Sequence, residues 1–316
     1  MIAYLKPDIL VLSGLDYDHD LHLLRAFRAR IADHGHDMSH VFAFASNAGH
    51  RTGRDMTGDG RDDTPDDTQG YGAYSGERAL ALLSRAPIDT INARDFSDFL
   101  WQALPEARLP PIDPEILKIQ RLSSTGHWDV PVVLSAKTRL HLLIYQAGPP
   151  VFGAGGSRNL LRNHDETAFW SAYLDKELPM RPSYGPIVII GGSNLDQYDG
   201  DGMHEAMRAL LGHPLVQDPM PASEGALQMA TDPASATHRG PHGLDTVHWP
   251  NRPGNLRVSY ILPSAELQVS AAGVFWPSPD TPEADLFMLG ATPISRHYPV
   301  WVDIVTSNIL SDDGPN

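Results

Sequence analysis

No apolar stretch in this sequence runs far before glycine, proline or aspartate interrupts it, and that punctuation decides the fold class. The 316 residues include 27 glycines and 27 prolines, so most of the chain reads as sheet and loop. Short apolar runs rich in β-branched residues predict strands at 9–12, 41–45, 79–83, 130–134, 140–145, 187–190, 257–262, 267–275 and 300–305. Helical spacing appears at 20–32, where Leu21, Leu24, Phe27 and Ile31 share a face, and again at 165–178 and 203–211. Each of these follows a loop rich in Asp or Asn that can cap it. Strands mixed with a few helices, and no low-complexity linker, predict one α+β domain over 1–306 with sheets packed face to face and helices outside. The polar stretch 307–316 reads as a frayed tail.

Charge and composition then remove whole classes of function. There is no cysteine, which excludes disulfides, thiolate metal sites and thiol catalysis. A formal net charge of -15 repels nucleic acid, so a protein partner is expected instead. No apolar run approaches the roughly 18 residues of a membrane span, and 1–7 show no secretion leader. The expectation is a soluble chain without a signal peptide.

Several polar constellations offer chemistry. Asp55, Thr57, Asp59, Asp63 and Asp66 fall at positions 1, 3, 5, 9 and 12 of a loop whose sixth residue is Gly60. That is calcium-loop spacing, because alternate side chains converge on one hard cation, and it implies structural Ca2+. A solvated acidic loop reads equally well, since position 12 is Asp and no flanking helices are evident. Asp196, Asp199 and Asp201 either bind a cation or cap the helix ahead of Met203. Arg158, Arg162, Asn163, His164, Asp165 and Glu166 crowd a helix start. Arg158, Arg162 and Asn163 there either hold an anion or form a buried network that fixes the loop after Phe152. The turn at 153–156 lacks the Lys-Ser/Thr of a phosphate loop. His19 with His22, and His34 with His36, are read as solvent-facing. No Gly-x-Ser-x-Gly elbow supports a serine hydrolase. Trp249, Phe275, Trp276 and Trp301 are assigned to packing, with a partner surface as the alternative if Trp249 and Trp276 are exposed together.

Segments in a fixed order give the chain a family resemblance. They are 7–18, 59–72 ending in Gln69-Gly-Tyr-Gly72, 82–88, 148–152, 162–166 with Phe169 and Trp170, 190–194, 254–260 and 295–297. Together they resemble the endonuclease/exonuclease/phosphatase superfamily, in particular its bacterial extracellular-type branch. The resemblance implies a four-layer α/β/β/α sandwich, here with the family's first strand missing, and a secreted or periplasmic location, with the cytoplasm as the alternative.

It also implies a catalytic apparatus, and this chain departs from it. Active members use a carboxylate-bound divalent metal, an Asp that primes water and a His paired with an Asp. Where the family reads Asn-Glu, this chain has Ser13-Gly14; the catalytic His position carries Gln146. The Gly-Asp-x-Asn motif becomes Gly191-Gly-Ser-Asn194, Arg-Val-Asp-Tyr becomes Arg257-Val-Ser-Tyr260, and Ser-Asp-His becomes Ser295-Arg-His297. Asn194 and His297 are the surviving matches, and Arg296 is read as a fixed cation in place of the metal. Catalytic groups that act as a unit lose turnover steeply when several are removed. The implied function is a catalytically degenerate binding or structural subunit. The alternative is an active metal-dependent phosphodiesterase, phosphatase or nuclease using Mg2+ or Mn2+ at a rearranged site with Asn194, His297 and Asp16, Asp18 or Asp196.

Overall fold

A computed structural model of the chain describes residues 1–152, 157–290 and 292–309. The helices are α1 (Ile2–Leu5), α2 (His22–Asp33), α3 (Pro114–Leu117), α4 (Arg158–Leu174), α5 (Glu205–Leu211) and α6 (Glu224–Gln228). The strands are β1 (Ile9–Leu15), β2 (His40–Phe42), β3 (Ala79–Ser84), β4 (Arg94–Asp95), β5 (Gly126–Val133), β6 (Arg139–Gln146), β7 (Ile187–Gly192), β8 (Ser259–Pro263), β9 (Val269–Val274), β10 (Met288–Leu289), β11 (Thr292–Pro293) and β12 (Val300–Ile304). One sheet runs β1-β3-β2 and a larger one runs β4-β5-β6-β7-β8, with β9 paired to β12 and β10 to β11. Only the β6–β7 pair of the larger sheet is parallel. A parallel pair requires a crossover, and α4 lies in that connection.

Alternating side chains build the layers. On β3, Leu80 and Leu82 face inward with Phe42, against Trp128, Val130, Leu142, Ile144 and Val188 of the larger sheet. The intervening Ala81 and Leu83 face the other way, onto Leu24 and Ile31 of α2. Likewise Leu143, Tyr145, Ile187 and Ile189 turn outward onto Phe169, Trp170 and Tyr173 of α4 and Met207 and Leu210 of α5. Strand periodicity of two thus makes each sheet apolar on both faces, and the result is the expected sandwich of helix, sheet, sheet and helix.

The differences from the sequence reading are local. The second helix was expected from 165 but begins at Arg158, because its polar stretch is buried by hydrogen bonding instead of apolar packing. Side-chain capping by aspartate occurs at α2, where Asp18 accepts the N–H groups of His22 (2.7 Å) and Leu23 (3.0 Å). No side-chain cap closes α4 or α5. Strands of two residues, such as β4, are too short to leave a periodic signal. In the expected tail, Thr306–Asn308 forms a 3-10 turn; the rest of it from 310, and the turn at 153–156, lie outside the described residues.

Candidate functional site

The ends of three neighbouring strands bring the family-matching positions into one row. Gln146 on β6 pairs with Gly192 on β7, and Gly192 pairs with Ser259 on β8. A Cβ built on Gly192 would lie 2.2 Å from Gln146 Oε1, so the amide occupies the space that a side chain at 192 would fill. Gln146 Nε2 donates to the Ala147 carbonyl at 3.1 Å, and Asn194 Nδ2 donates to the same oxygen at 2.8 Å. Asn194 itself sits in the left-handed region at φ 50°, a conformation that asparagine tolerates better than most residues. Ser193 is buried, with its hydroxyl donating to Leu195 and Val258 carbonyls. Thr246 Oγ1 accepts the N–H groups of Val258 (2.9 Å) and Ser259 (3.1 Å), which fixes the third member of the row. Amides and hydroxyls fill this floor, and among the described residues of the row none is a carboxylate.

Gly192→Asp is therefore expected to displace Gln146 and to cost about 1–2 kcal/mol in urea unfolding. Adding Gln146→Ala is expected to recover most of that loss. An equal loss in the single and the double variant would contradict the packing described here.

The other family-matching positions do not supply the missing ligands. Gly14 interrupts the β1–β3 register at φ +87°, and a Cβ there would meet nothing within 4 Å. Asp16 accepts from Tyr74 Oη at 2.7 Å and Arg78 N at 3.0 Å, and these donors hold its carboxyl below the usual carboxylate range. Asp18 is spent capping α2. His297 pairs with Val247 and keeps one exposed face. Its ring meets the edge of Trp249 at 5.8 Å, and desolvation on the covered side pulls its pKa down. The Arg296 side chain is exposed and makes no ion pair among the described residues; its carbonyl accepts from His248 N at 2.9 Å. It is a surface cation, whereas the sequence reading put it in the place of the metal. A hard divalent ion needs several converging oxygens, and the groups at Gly14, Gln146, Gly192 and Ser259 do not fit one.

The cluster on α4 is structural in its bonding. Arg162 is 6% exposed and donates through Nε to Leu122 O (2.8 Å) and through Nη2 to Arg121 O (2.9 Å) and Ser123 O (2.8 Å). Asn163 Nδ2 bridges the carbonyls of Gly148 and Ser193, each at 2.7 Å. Arg158 donates to Gln120 Oε1 and to Met56 O. Glu166 accepts from Ser124 N and Gly148 N; burial pushes its carboxyl up while Arg162 pulls it down. Asp165 accepts from Trp101 Nε1 (2.6 Å) and Arg108 N (2.7 Å). Arg162 and Asn163 are thus engaged with loop carbonyls, while Arg158 bonds Gln120 and Met56 and keeps a buried Nε without a partner.

The acidic loop does not gather its carboxylates. Asp55 turns back on its own backbone and accepts from Thr57, Gly58, Asp59 and Gly60 N–H groups. Thr57 donates its hydroxyl to Asp55, Asp59 accepts from Arg61 N, Asp63 pairs with the Arg61 guanidinium, and Asp66 is exposed. Asp196 and Asp199 do not cap α5 either. Asp196 accepts from Tyr198, Asp199 and Arg257 N–H groups, and Asp199 from Arg239 and Gly240. Of the histidines singled out, His36 is buried against the Pro7 carbonyl at 2.8 Å, contrary to expectation, while His19, His22 and His34 are exposed. Trp276 is buried and stacks on Tyr298 with centroids 3.9 Å apart, as packing requires.

Sequence reasoning missed two groups. His127 is buried under α4, and nothing local distinguishes its position in β5. His238, His242 and Asp245 converge, and their spacing of four and three was a readable signal.

Comparison with known proteins fits this geometry. Over residues 1–302 the chain matches the model of the Endonuclease/Exonuclease/phosphatase family. Among solved structures it is similar to an endonuclease/exonuclease/phosphatase from Beutenbergia cavernae, with a TM-score of 0.52 and 15% identity over 96% of this chain. It spans 64% of the length of that protein. A family protein from Leptotrichia buccalis gives a TM-score of 0.53 at 13% identity, covering 96% of this chain and 89% of the other. A mannosyl-6-phosphatase of Bacteroides thetaiotaomicron gives 0.50 at 14% identity, with coverages of 96% and 88%. Such identities establish a shared fold alone. No curated protein matches the sequence. No helix among the described residues is long and apolar enough to cross a membrane. The match over nearly the whole chain, on a sandwich of this layering, means that the chain belongs to the endonuclease/exonuclease/phosphatase family.

Proposed function

We propose that this chain is a catalytically degenerate member of its family that serves as a binding or structural subunit. The observation that carries the reading is the row Gln146, Gly192, Ser259 across β6, β7 and β8. It offers no carboxylate to anchor a divalent ion and no group that moves a proton near neutral pH. The competing reading, an active phosphoesterase with a displaced Mg2+ or Mn2+ site, would recruit Asp16, Asp18 or Asp196. Each of these carboxylates already accepts at least two donors. The loop at Asp55 stays a calcium candidate only if Ca2+ displaces the backbone N–H groups its carboxylate now accepts.

In a binding role, surfaces matter more than turnover. Among the described residues β1 hydrogen-bonds to β3 alone, and a strand donated by a protein partner would complete that sheet edge.

Hydrolysis assays test the proposal. With Mg2+, Mn2+ or Ca2+, a phosphodiester and a phosphomonoester of p-nitrophenol are expected to turn over at the rate of buffer. Metal-dependent turnover that disappears in His297→Ala would overturn it.

A further inference from the structure

Next to the row, the segment from His238 to Asp245 collects titratable groups that the row does not use. The His238 and His242 rings stack with centroids 4.2 Å apart and planes 27° from parallel. His238 Nε2 lies 3.0 Å from Asp245 Oδ1, and its Nδ1 lies 3.5 Å from Asp199 Oδ2. Among the described residues, His238, His242 and Asp245 are the one group of three or more such side chains whose ligand atoms converge, all within 4.8 Å of one another. Two imidazoles and a carboxylate suit a borderline ion such as zinc, and closing their spread to bonds of about 2.0–2.2 Å asks for side-chain adjustments of roughly an ångström.

A second observation points to a ligand independently of that spacing. The Asp245 side chain is 1% exposed, yet its Oδ2 makes no hydrogen bond, and His242 Nδ1 is also buried without a partner. A buried carboxylate oxygen left bare costs desolvation free energy that nothing offsets. Four carboxylates crowd this region: Asp199 meets the Arg239 guanidinium and His238, Asp218 meets the Arg257 guanidinium, Asp245 meets His238, and Asp196 accepts from Arg257 N.

We infer that His238, His242 and Asp245 bind one divalent transition-metal ion of the zinc class, with Asp199, now 3.5 Å from the unpartnered far ring nitrogen of His238, closing onto it in the loaded site. Asp199 is suited to that part because Gly240 N at 2.7 Å and Arg239 N at 2.9 Å pin its carboxylate. A carboxylate on the outer nitrogen fixes the tautomer and raises the basicity of a metal-bound imidazole. The ion ties the segment 238–245 together just ahead of Thr246, whose hydroxyl holds the backbone of Val258 and Ser259. Its role is structural, and it stands independently of whether the row supports turnover.

The test uses the untagged full chain, stripped with a chelator and titrated with Zn2+ against a chromophoric competitor. One equivalent per chain, a raised Tm and the visible spectrum of tetrahedral cobalt after Co2+ substitution are expected. His242 is only partly buried, so His242→Ala is expected to keep the far-UV circular dichroism while weakening Zn2+ by at least about a hundredfold. Asp245→Asn is expected to weaken it as well. Less than half an equivalent bound at micromolar Zn2+, as for a protonated His238 bridging the two aspartates without metal, would overturn the inference. So would undiminished binding by His242→Ala.

Discussion

Replacing Arg162 by methionine is expected to remove about 3–5 kcal/mol of folding stability, a large share of what a domain has. Arg162 satisfies three carbonyls of the loop 121–123 and is the nearest counter-charge to the buried Glu166. Methionine fills similar volume and restores none of these contacts, so three carbonyls lose their donor and the buried carboxylate loses its counter-charge together. Because Glu166 also ties Ser124 and Gly148, the loss should reach both loops that frame the row. Urea unfolding followed by circular dichroism measures it. Arg162→Met combined with Glu166→Gln is expected to recover part of the loss through their coupling. Arg108, which pairs with Glu205 at the surface, is the control: Arg108→Ala is expected to change stability by about 0.5 kcal/mol or less. A loss of similar size from Arg162→Met would contradict the buried network.

The second large effect is a loss of stability in mild acid, traced to His127. This imidazole lies 5.4 Å from Trp170 in a stacked arrangement and within ring contact of Tyr145 and Phe169. Its Nε2 lies 2.9 Å from the Glu166 carbonyl, which can only accept, so Nε2 carries the proton and Nδ1 is a bare lone pair. That Nδ1 is buried without a partner. Burial, with Arg162 nearby, lowers its pKa from 6.5 to about 4. A histidine with a depressed folded-state pKa gives its full stability above the unfolded value and loses it as pH falls toward the folded one. The expected loss from this residue is about 2 kcal/mol at pH 5 and about 3 kcal/mol by pH 4. Glu166 works in the opposite sense, since its raised pKa costs stability as pH rises through it. Comparison with His127→Gln, which keeps an N–H donor and cannot titrate, separates the two. The variant is expected to lack this part of the acid slope, and an unchanged slope would assign it elsewhere.

The layers were legible in the sequence because they rest on local alternation. The run at 79–83 read as a strand, and the structure shows it buried on both faces, Leu80 and Leu82 on one and Ala81 and Leu83 on the other. The start of α4 was not legible, because Arg162, Asn163 and Glu166 satisfy distant loop groups that no window of sequence contains. The acidic loop shows the reverse failure. Its spacing suits a cation, yet backbone N–H groups of the same loop compete for Asp55 and win among the described contacts. The row itself was half legible: family motifs flagged Gln146, Gly192 and Ser259 one at a time. That the first lies over the second and the third pairs beside it follows from strand register, which is non-local.

The account turns on whether the row can hold a divalent ion, and Mn2+ binding followed by electron paramagnetic resonance asks this directly. Wild type, Asn194→Ala and His242→Ala are titrated in parallel. The account predicts that Asn194→Ala binds as wild type does, and that any tightly held ion is lost with His242→Ala. An ion held at micromolar Mn2+ that Asn194→Ala releases and His242→Ala retains would contradict it.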